Sequence, residues 1–326
     1  MANLPPFVST GDRITAWGPY LQKGTILHNF CVTGDKDRIQ AKLDTMFAEP
    51  SGGEVRYHPI TSKLFLSVAE IERIVPQNPI DYQRGGVSEI DVTIWTVAHR
   101  EGAGPFELRW IPLFLSVDSA WAMATGRETY GFPKEIGQFK FDPQTSDPAA
   151  GRTFLIDAFA IKKFSPESSP EWLPLFEIRP IVGDDPEHEP KGFWNKLEHF
   201  AEGAVERLGE TVVDVALKIA SEKAISKALN GEAVILPFLK QFPDVSDPTR
   251  ACYQAIVEAP TTINEFRRGG ITTPNYHVTV HSYDSHPFLR ELGIKPEVED
   301  VGRGMWVDFD FTMDMGYELW KADTSG

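Results

Sequence analysis

One lysine, Lys134, stands among apolar neighbours in a segment whose residue types could do chemistry. Phe132 and Pro133 precede it, and Ile136 follows two positions later. Most lysines are solvated, but an apolar setting penalises the charged ammonium and favours a neutral amine that can attack a carbonyl carbon. The segment therefore makes Lys134 a candidate nucleophile, with an ordinary solvated lysine as the alternative.

The residues before Lys134 have a defined spacing. Gly126-Arg127-Glu128 is followed by four residues and then by Pro133-Lys134. This spacing resembles the active-site segment of the acetoacetate decarboxylase family, in which Lys134 would be the nucleophile. Five further stretches resemble strands of that family: 113–118, 172–183, 251–258, 274–288 and 307–313. The resemblance begins near residue 18 and skips residues 184–246.

The resemblance implies Schiff-base chemistry on a small oxo acid. Lys134 would condense with the substrate ketone, and the iminium would accept the electron pair released when carbon dioxide leaves. The enamine would then be protonated and hydrolysed, or used for aldol addition or dehydration. The lysine itself is the electron sink, so no cofactor is expected.

Two positions depart from the family pattern. The family decarboxylase has a second lysine directly after the nucleophile, where this chain has Glu135, and an early arginine, where this chain has Thr25 with Lys23 nearby. A carboxylate near the amine favours the ammonium form. On a strand, however, Glu135 would point to the face opposite Lys134. These departures favour a rival function, a non-catalytic small-molecule binder with the same fold.

Two glutamates match family positions. Glu89 begins an alternating strand pattern and is a candidate for proton transfer. Glu70 is a second candidate catalytic residue, with Glu72 as the alternative if the alignment slips by two.

The motif itself supplies candidate substrate-binding residues. Tyr130 and Phe132 are expected to line the pocket around Lys134. Arg127 is a third candidate, and the alternative for Arg127 and Glu128 is an ion pair that fixes the turn before the lysine.

Other polar groups suggest less. His277 and His281 share a strand face, with His286 beyond, but no carboxylate or cysteine completes a metal-ligand set, so no metal is expected. The basic run 267–270 reads as a solvated hairpin loop.

Composition limits the partners. The chain has 326 residues, 41% of them hydrophobic, and a formal net charge of −15, so neither nucleic acid nor an anionic membrane is an expected partner. Cys31 and Cys252 are too few for a secreted disulfide framework. The N-terminus lacks a signal-peptide pattern, and a cytoplasmic location is expected.

The periodicity of the chain defines the elements that position these residues. Ile39, Leu43 and Phe47 recur at a spacing of four and predict a helix over 35–48. Strand patterns follow over 63–74, 89–97, 106–117, 153–162 and 173–182, and return over 251–257, 275–280 and 305–313. Between them, a spacing of three or four predicts helix over 192–229.

These elements predict one α+β domain over residues 1–326, with a helical insertion at about 184–246. The alternative is a separate small helical domain at 190–240. The resemblance further implies a mainly antiparallel, cone- or barrel-like sheet with peripheral helices, and a homo-oligomer.

Overall fold

The computed structural model describes residues 7–8, 15–104, 107–181 and 231–323. The helix predicted over 192–229 therefore lies outside the described residues. Strands dominate the remainder. In chain order they are β1 Tyr20–Thr33, β2 Tyr57–Pro59, β3 Lys63–Pro76, β4 Val87–Arg100, β5 Leu108–Val117, β6 Lys134–Asp142, β7 Thr153–Ala160, β8 Glu171–Pro180, β9 Val234–Pro243, β10 Ala251–Val280, β11 Glu299–Met313 and β12 Tyr317–Lys321.

The described helices are short. They are α1 Lys36–Leu43, continued by a π-helical turn Asp44–Ala48, then α2 Ala120–Thr129 and α3 Phe288–Leu292, with a 3-10 turn Tyr82–Arg84. The Asp35 side chain caps α1 by accepting from the backbone N–H groups of Asp37 and Arg38. The apolar residues predicted for this helix, Ile39, Leu43 and Phe47, are buried, which confirms the helix expected over 35–48.

All twelve strands belong to one mixed sheet. The order is β2-β4-β3-β1-β11-β10-β8-β7-β6-β5-β9, with β12 on β10 and further pairings of β4 with β5 and of β10 with β9. β5 pairs in parallel with β6 and β9, and the other pairings are antiparallel. Strands from before residue 183 and after residue 250 therefore share one sheet system, as predicted. The cone- or barrel-like shape stays a prediction.

β9 lies inside the range that the sequence assigned to the helical insertion. Its apolar run from Val234 to Leu239 is short, and a short apolar run does not distinguish strand from helix by periodicity. The segment is a strand because it pairs along β10, with Val234 opposite Thr261 and Pro243 opposite Ala251. Within the described residues, strand therefore resumes at Val234, ahead of the predicted boundary.

The basic run 267–270 is not a hairpin loop but part of β10. Arg267 donates to Asp308 at 2.7 Å and to Asp310 at 2.8 Å, and Arg268 donates to Asp308 at 3.1 Å. These aspartates lie on β11, about forty positions away in the sequence. A local pattern could not show partners at that distance.

Within the described part of the chain, no helix is long and apolar enough to cross a membrane. Both cysteines are free, Cys31 buried and Cys252 exposed.

Candidate active site

Lys134 is positioned by a β5–α2–β6 unit. β5 and β6 run parallel, with Leu115 opposite Lys134, and a parallel pair requires a crossover, here α2. Ser119 caps α2 by accepting from the backbone N–H of Ala122. Lys134 is the first residue of β6, directly after the crossover.

Gly131 and Pro133 set the turn from α2 to Lys134. Gly131 has φ +87°, and its N–H bonds to the Gly126 carbonyl at 3.1 Å, which is the arrangement of a glycine that ends a helix. A Cβ at this position would lie 2.6 Å from the Lys240 backbone, so the turn needs glycine for space as well. Pro133 cannot continue the helix, and the chain enters β6.

The Lys134 amine is buried beside a carboxylate and an aromatic ring. The residue is 8% exposed, and Nζ lies 5.3 Å from the centre of the Phe132 ring. Nζ donates to Glu89 Oε1 at 2.9 Å, and Glu89 is also buried. Lys134 and Glu89, both predicted from the sequence as candidate catalytic residues, are thus in direct contact.

The glycine of the motif makes room for the lysine. Gly126 lies on α2 facing the Lys134 side chain, and a Cβ there would come within 2.7 Å of Cδ and 3.0 Å of Cε. No positive φ is involved, so the requirement at Gly126 is space alone.

Gly126→Ala should lower the rate of any reaction at the Lys134 amine by about 100-fold, because the methyl group displaces the side chain that carries it. Folded stability should not fall in parallel, since alanine raises helix propensity by about 1 kcal/mol. Activity and urea denaturation of the variant check both statements. Glu128→Ala, on an exposed position of the same helix, is the control. Full activity in Gly126→Ala would contradict the close packing.

Arg127 supports the lysine through the backbone. Its Nη1 donates to the Lys134 carbonyl at 3.0 Å, and the residue is exposed. Arg127 is not among the residues that line the cavity at Lys134, so its predicted substrate contact is not seen. Both residues are described, and the alternative ion pair between Arg127 and Glu128 is not formed. Arg127 holds the end of the turn through the Lys134 carbonyl instead.

A cavity of about 50 Å³ opens at the Lys134 amine. Tyr130 and Phe132 line it, as predicted. The Tyr130 hydroxyl donates to the Asp314 carbonyl at 2.9 Å, and burial raises the pKa of that phenol. The full lining, drawn from β1, β3, β4, β6, β11, α2 and the turn after it, is Tyr20, Gln22, Ile74, Glu89, Trp121, Ala122, Thr125, Gly126, Tyr130, Phe132, Lys134 and Met313.

Glu70 does not reach this cavity, which corrects the sequence prediction. Its neighbour Ile71 is the residue that pairs with Glu89, so strand alternation turns Glu70 to the opposite face of the sheet. There it forms an ion pair with Arg152, with Nη1 to Oε1 at 2.6 Å. Glu72, the alternative, is exposed and is not part of the cavity lining either.

Glu135 points away from Lys134, as strand alternation predicted. Its Oε2 lies 2.7 Å from His286 Nε2, and the His286 ring packs against Phe114. Of the two histidines predicted to share a strand face, His281 contacts Glu177 at 2.9 Å and His277 is exposed.

A second carboxylate, Asp91, shares the face of β4 that carries Glu89. Asp91 is not among the residues predicted from the sequence, although a period of two from Glu89 indicates it. Thr93 Oγ1 donates to Asp91 Oδ1 at 3.1 Å. Burial, and next the charge of Glu89, raise the pKa of Asp91 to about 7, against the opposing effect of Lys134.

β1 contributes Gln22 to the cavity, at a strand that the sequence patterns did not define. Thr25, the counterpart of the family arginine, is buried and does not line the cavity. Lys23 lies instead along a separate surface hollow with Arg73.

Comparison with known proteins agrees with this fold. Neither a family model nor a curated protein matches the sequence. Among solved structures, an acetoacetate decarboxylase from Legionella pneumophila is 13% identical with a TM-score of 0.60, over 98% of this chain and 92% of that one.

Two other solved structures are similar. An acetoacetate decarboxylase-like enzyme from Sphingomonas wittichii RW1 is 14% identical with a TM-score of 0.57, over 96% of this chain and 98% of that one. The enduracididine biosynthesis enzyme MppR, complexed with pyruvate, is 14% identical with a TM-score of 0.56, over 95% and 93%. The chain has the acetoacetate decarboxylase-like fold, and the predicted resemblance is confirmed at that level.

Proposed function

We propose that this protein is a Schiff-base-forming lyase that acts on a small oxo acid through Lys134. The observation that carries the proposal is the buried Lys134 amine, 2.9 Å from the Glu89 carboxylate, at the wall of a small cavity. Burial beside the Phe132 ring shields the amine from most of the solvent, and a neighbouring carboxylate supplies the proton acceptor that an amine nucleophile needs.

The first step forms a carbon–nitrogen bond. The ammonium proton passes to Glu89, and the free amine adds to the substrate carbonyl. The carbonyl oxygen then takes up two protons and leaves as water, which gives the iminium. Glu89 is placed to return one of these protons.

The second step depends on the substrate. With a 3-oxo acid, the bond to the carboxylate breaks, its electron pair moves toward the iminium nitrogen, and carbon dioxide leaves. With a 2-oxo acid, loss of a proton beside the iminium gives the same kind of enamine, which attacks an aldehyde. The pyruvate complex of the similar MppR structure supports including 2-oxo acids as candidates.

Gln22 is the side chain that we assign to the substrate carboxylate. It lines the cavity from β1, where neither Thr25 nor Lys23 is present in the lining. An amide donates a hydrogen bond without a charge, so the positive charge facing a bound carboxylate would be that of the iminium itself.

A screen of 2- and 3-oxo acids, with and without aldehydes, tests the proposal. Release of carbon dioxide and loss of the oxo acid are measured for the unmodified protein, for Lys134→Ala and for Lys240→Ala. Lys240 is the matched control because it lies near the end of α2 and donates to the Thr129 carbonyl at 3.0 Å, outside the cavity lining. Turnover should vanish only in Lys134→Ala. Turnover that survives this substitution would overturn the proposal.

The rival function, a binder without chemistry, loses one of its arguments. It relied on Glu135 reaching the amine, and Glu135 instead contacts His286.

A further inference from the structure

Two carboxylates, Glu89 and Asp91, face one amine at the candidate site. They stand two positions apart on β4, so their side chains share a face. Across β5, Asp91 is opposite Val117 and Thr93 is opposite Leu115, and Leu115 is in turn opposite Lys134. The Lys134 side chain therefore starts level with Thr93 and ends at Glu89, and Asp91 lies between these two levels.

In the described part of the chain, three other charged groups act on Asp91. Glu89 precedes it on β4, Lys134 comes from β6, and Asp118 directly follows β5 and accepts from the Ile90 N–H at 2.9 Å. Two of these neighbours are negative and one is positive. Adjacent buried carboxylates do not ionise independently, and one of them retains its proton to a higher pH.

We propose that Asp91 is a positioning residue that sets the charge state of the Glu89–Lys134 pair. This inference rests on the proposed role of Lys134. When Asp91 carries its proton, Glu89 is the single ionised partner of the amine on β4, and one proton transfer frees the nucleophile. When Asp91 ionises, a second negative charge holds the ammonium, and the free amine becomes rarer at a given pH.

The raised pKa of Asp91, about 7, gives the direction of the effect. Below that pH Asp91 is mostly neutral, and above it the second charge opposes release of the lysine proton. Removing the charge should therefore make the amine available at a lower pH.

Competitive labelling with acetic anhydride, without substrate, measures this directly. The reagent acetylates free amines, and peptide mass spectrometry gives the extent of labelling at Lys134 as a function of pH. In Asp91→Asn the midpoint of this profile should fall by about one pH unit or more, because a negative charge that interacts with the amine is lost. Thr93→Val removes the hydroxyl that favours ionised Asp91 and should move the midpoint in the same direction by less.

Glu135→Gln is the matched control. It removes a carboxylate from the residue next to Lys134 in sequence, but from the opposite face, and the midpoint should stay in place. An unchanged midpoint in Asp91→Asn, or an equal shift in Glu135→Gln, would overturn the inference. If Asp91→Asn does not fold, Thr93→Val decides alone, and an unmoved midpoint there is the contrary result.

The labelling profile keeps this inference separate from the proposed function. A shifted midpoint in a protein that turns over no oxo acid would support the role of Asp91 and contradict the lyase. Turnover that depends on Lys134, together with an unchanged midpoint, would support the lyase and contradict the role of Asp91.

Discussion

Glu89→Gln should lower oxo-acid turnover by at least about 100-fold, because general acid–base groups typically contribute that much or more. Glutamine keeps the shape of the side chain and can still contact the Lys134 amine, but it cannot accept the ammonium proton. The loss should appear in kcat as well as kcat/KM, since proton transfer belongs to the chemical steps. Steady-state kinetics on a substrate found in the screen provide the measurement.

Glu70→Gln is the control for this prediction. It makes the same substitution on the neighbouring strand, and glutamine leaves an oxygen for Arg152 to contact. Because Glu70 faces the opposite side of the sheet, kcat per folded molecule should stay within a few-fold of the original. Equal losses in both variants would contradict the assignment of proton transfer to Glu89.

The second large effect concerns stability and centres on Glu258 of β10. This fully buried carboxylate accepts from Tyr57 at 2.9 Å, from Arg109 Nε at 2.8 Å and from Tyr317 at 2.6 Å. These partners come from β2, β5 and β12, so one side chain joins four strands. Glu258→Leu should destabilise the fold by about 3–5 kcal/mol, because it leaves Arg109 and two hydroxyl groups without their partner. Glu258→Gln should cost about 1.5–3 kcal/mol.

The effect of Glu258 should depend on pH. Burial alone would raise the pKa of Glu258, but hydrogen bonds from Tyr317 and Arg109 outweigh it and hold the pKa below the ordinary glutamate value. The stabilisation by the carboxylate is therefore present above the unfolded-state pKa and is lost as pH falls through the folded-state pKa.

Urea denaturation at neutral and acidic pH checks this prediction. The difference in unfolding free energy between the original protein and Glu258→Gln should be largest at neutral pH and should narrow in acid. Glu265→Gln, on the same strand but with an exposed side chain, should change stability by no more than about 0.5 kcal/mol. A difference between the original protein and Glu258→Gln that is constant with pH would show that the charge on Glu258 does not contribute.

Local patterns predicted much of this fold. Ile39, Leu43 and Phe47 recur at helical spacing and are buried in α1 and its continuation. Alternation found β4, and with it the face that carries Glu89. Strand alternation also predicted that Glu135 and Lys134 would point to opposite sides.

Features that depend on register or on distant partners were not accessible from the sequence. A register shift between Ile71 and Ile74 interrupts the pairing of β3 with β4. Whether Glu70 and Glu89 share a face of the sheet is decided by the register next to this shift. β1 has a register shift between Gln22 and Thr25, which interrupts the alternation of its side chains. The strand that supplies Gln22 was therefore not predicted from its sequence pattern. β9 is defined by its pairing with β10 rather than by its own composition.

Asp91 was missed for a different reason. Glu89 and Glu70 match positions of the family pattern, and Asp91 matches none. Its proximity to the amine follows from strand alternation together with the β4–β5–β6 register, and the register is known only from the structure.

Trapping the Schiff base tests the central claim most directly. The protein is incubated with 2- and 3-oxo acids, reduced with borohydride and digested, and the modified lysine is located by mass spectrometry. One reduced adduct should be found, on the peptide that contains Lys134, and it should be missing from Lys134→Ala. An adduct on another lysine such as Lys240, or no adduct with any oxo acid tested, would contradict the account.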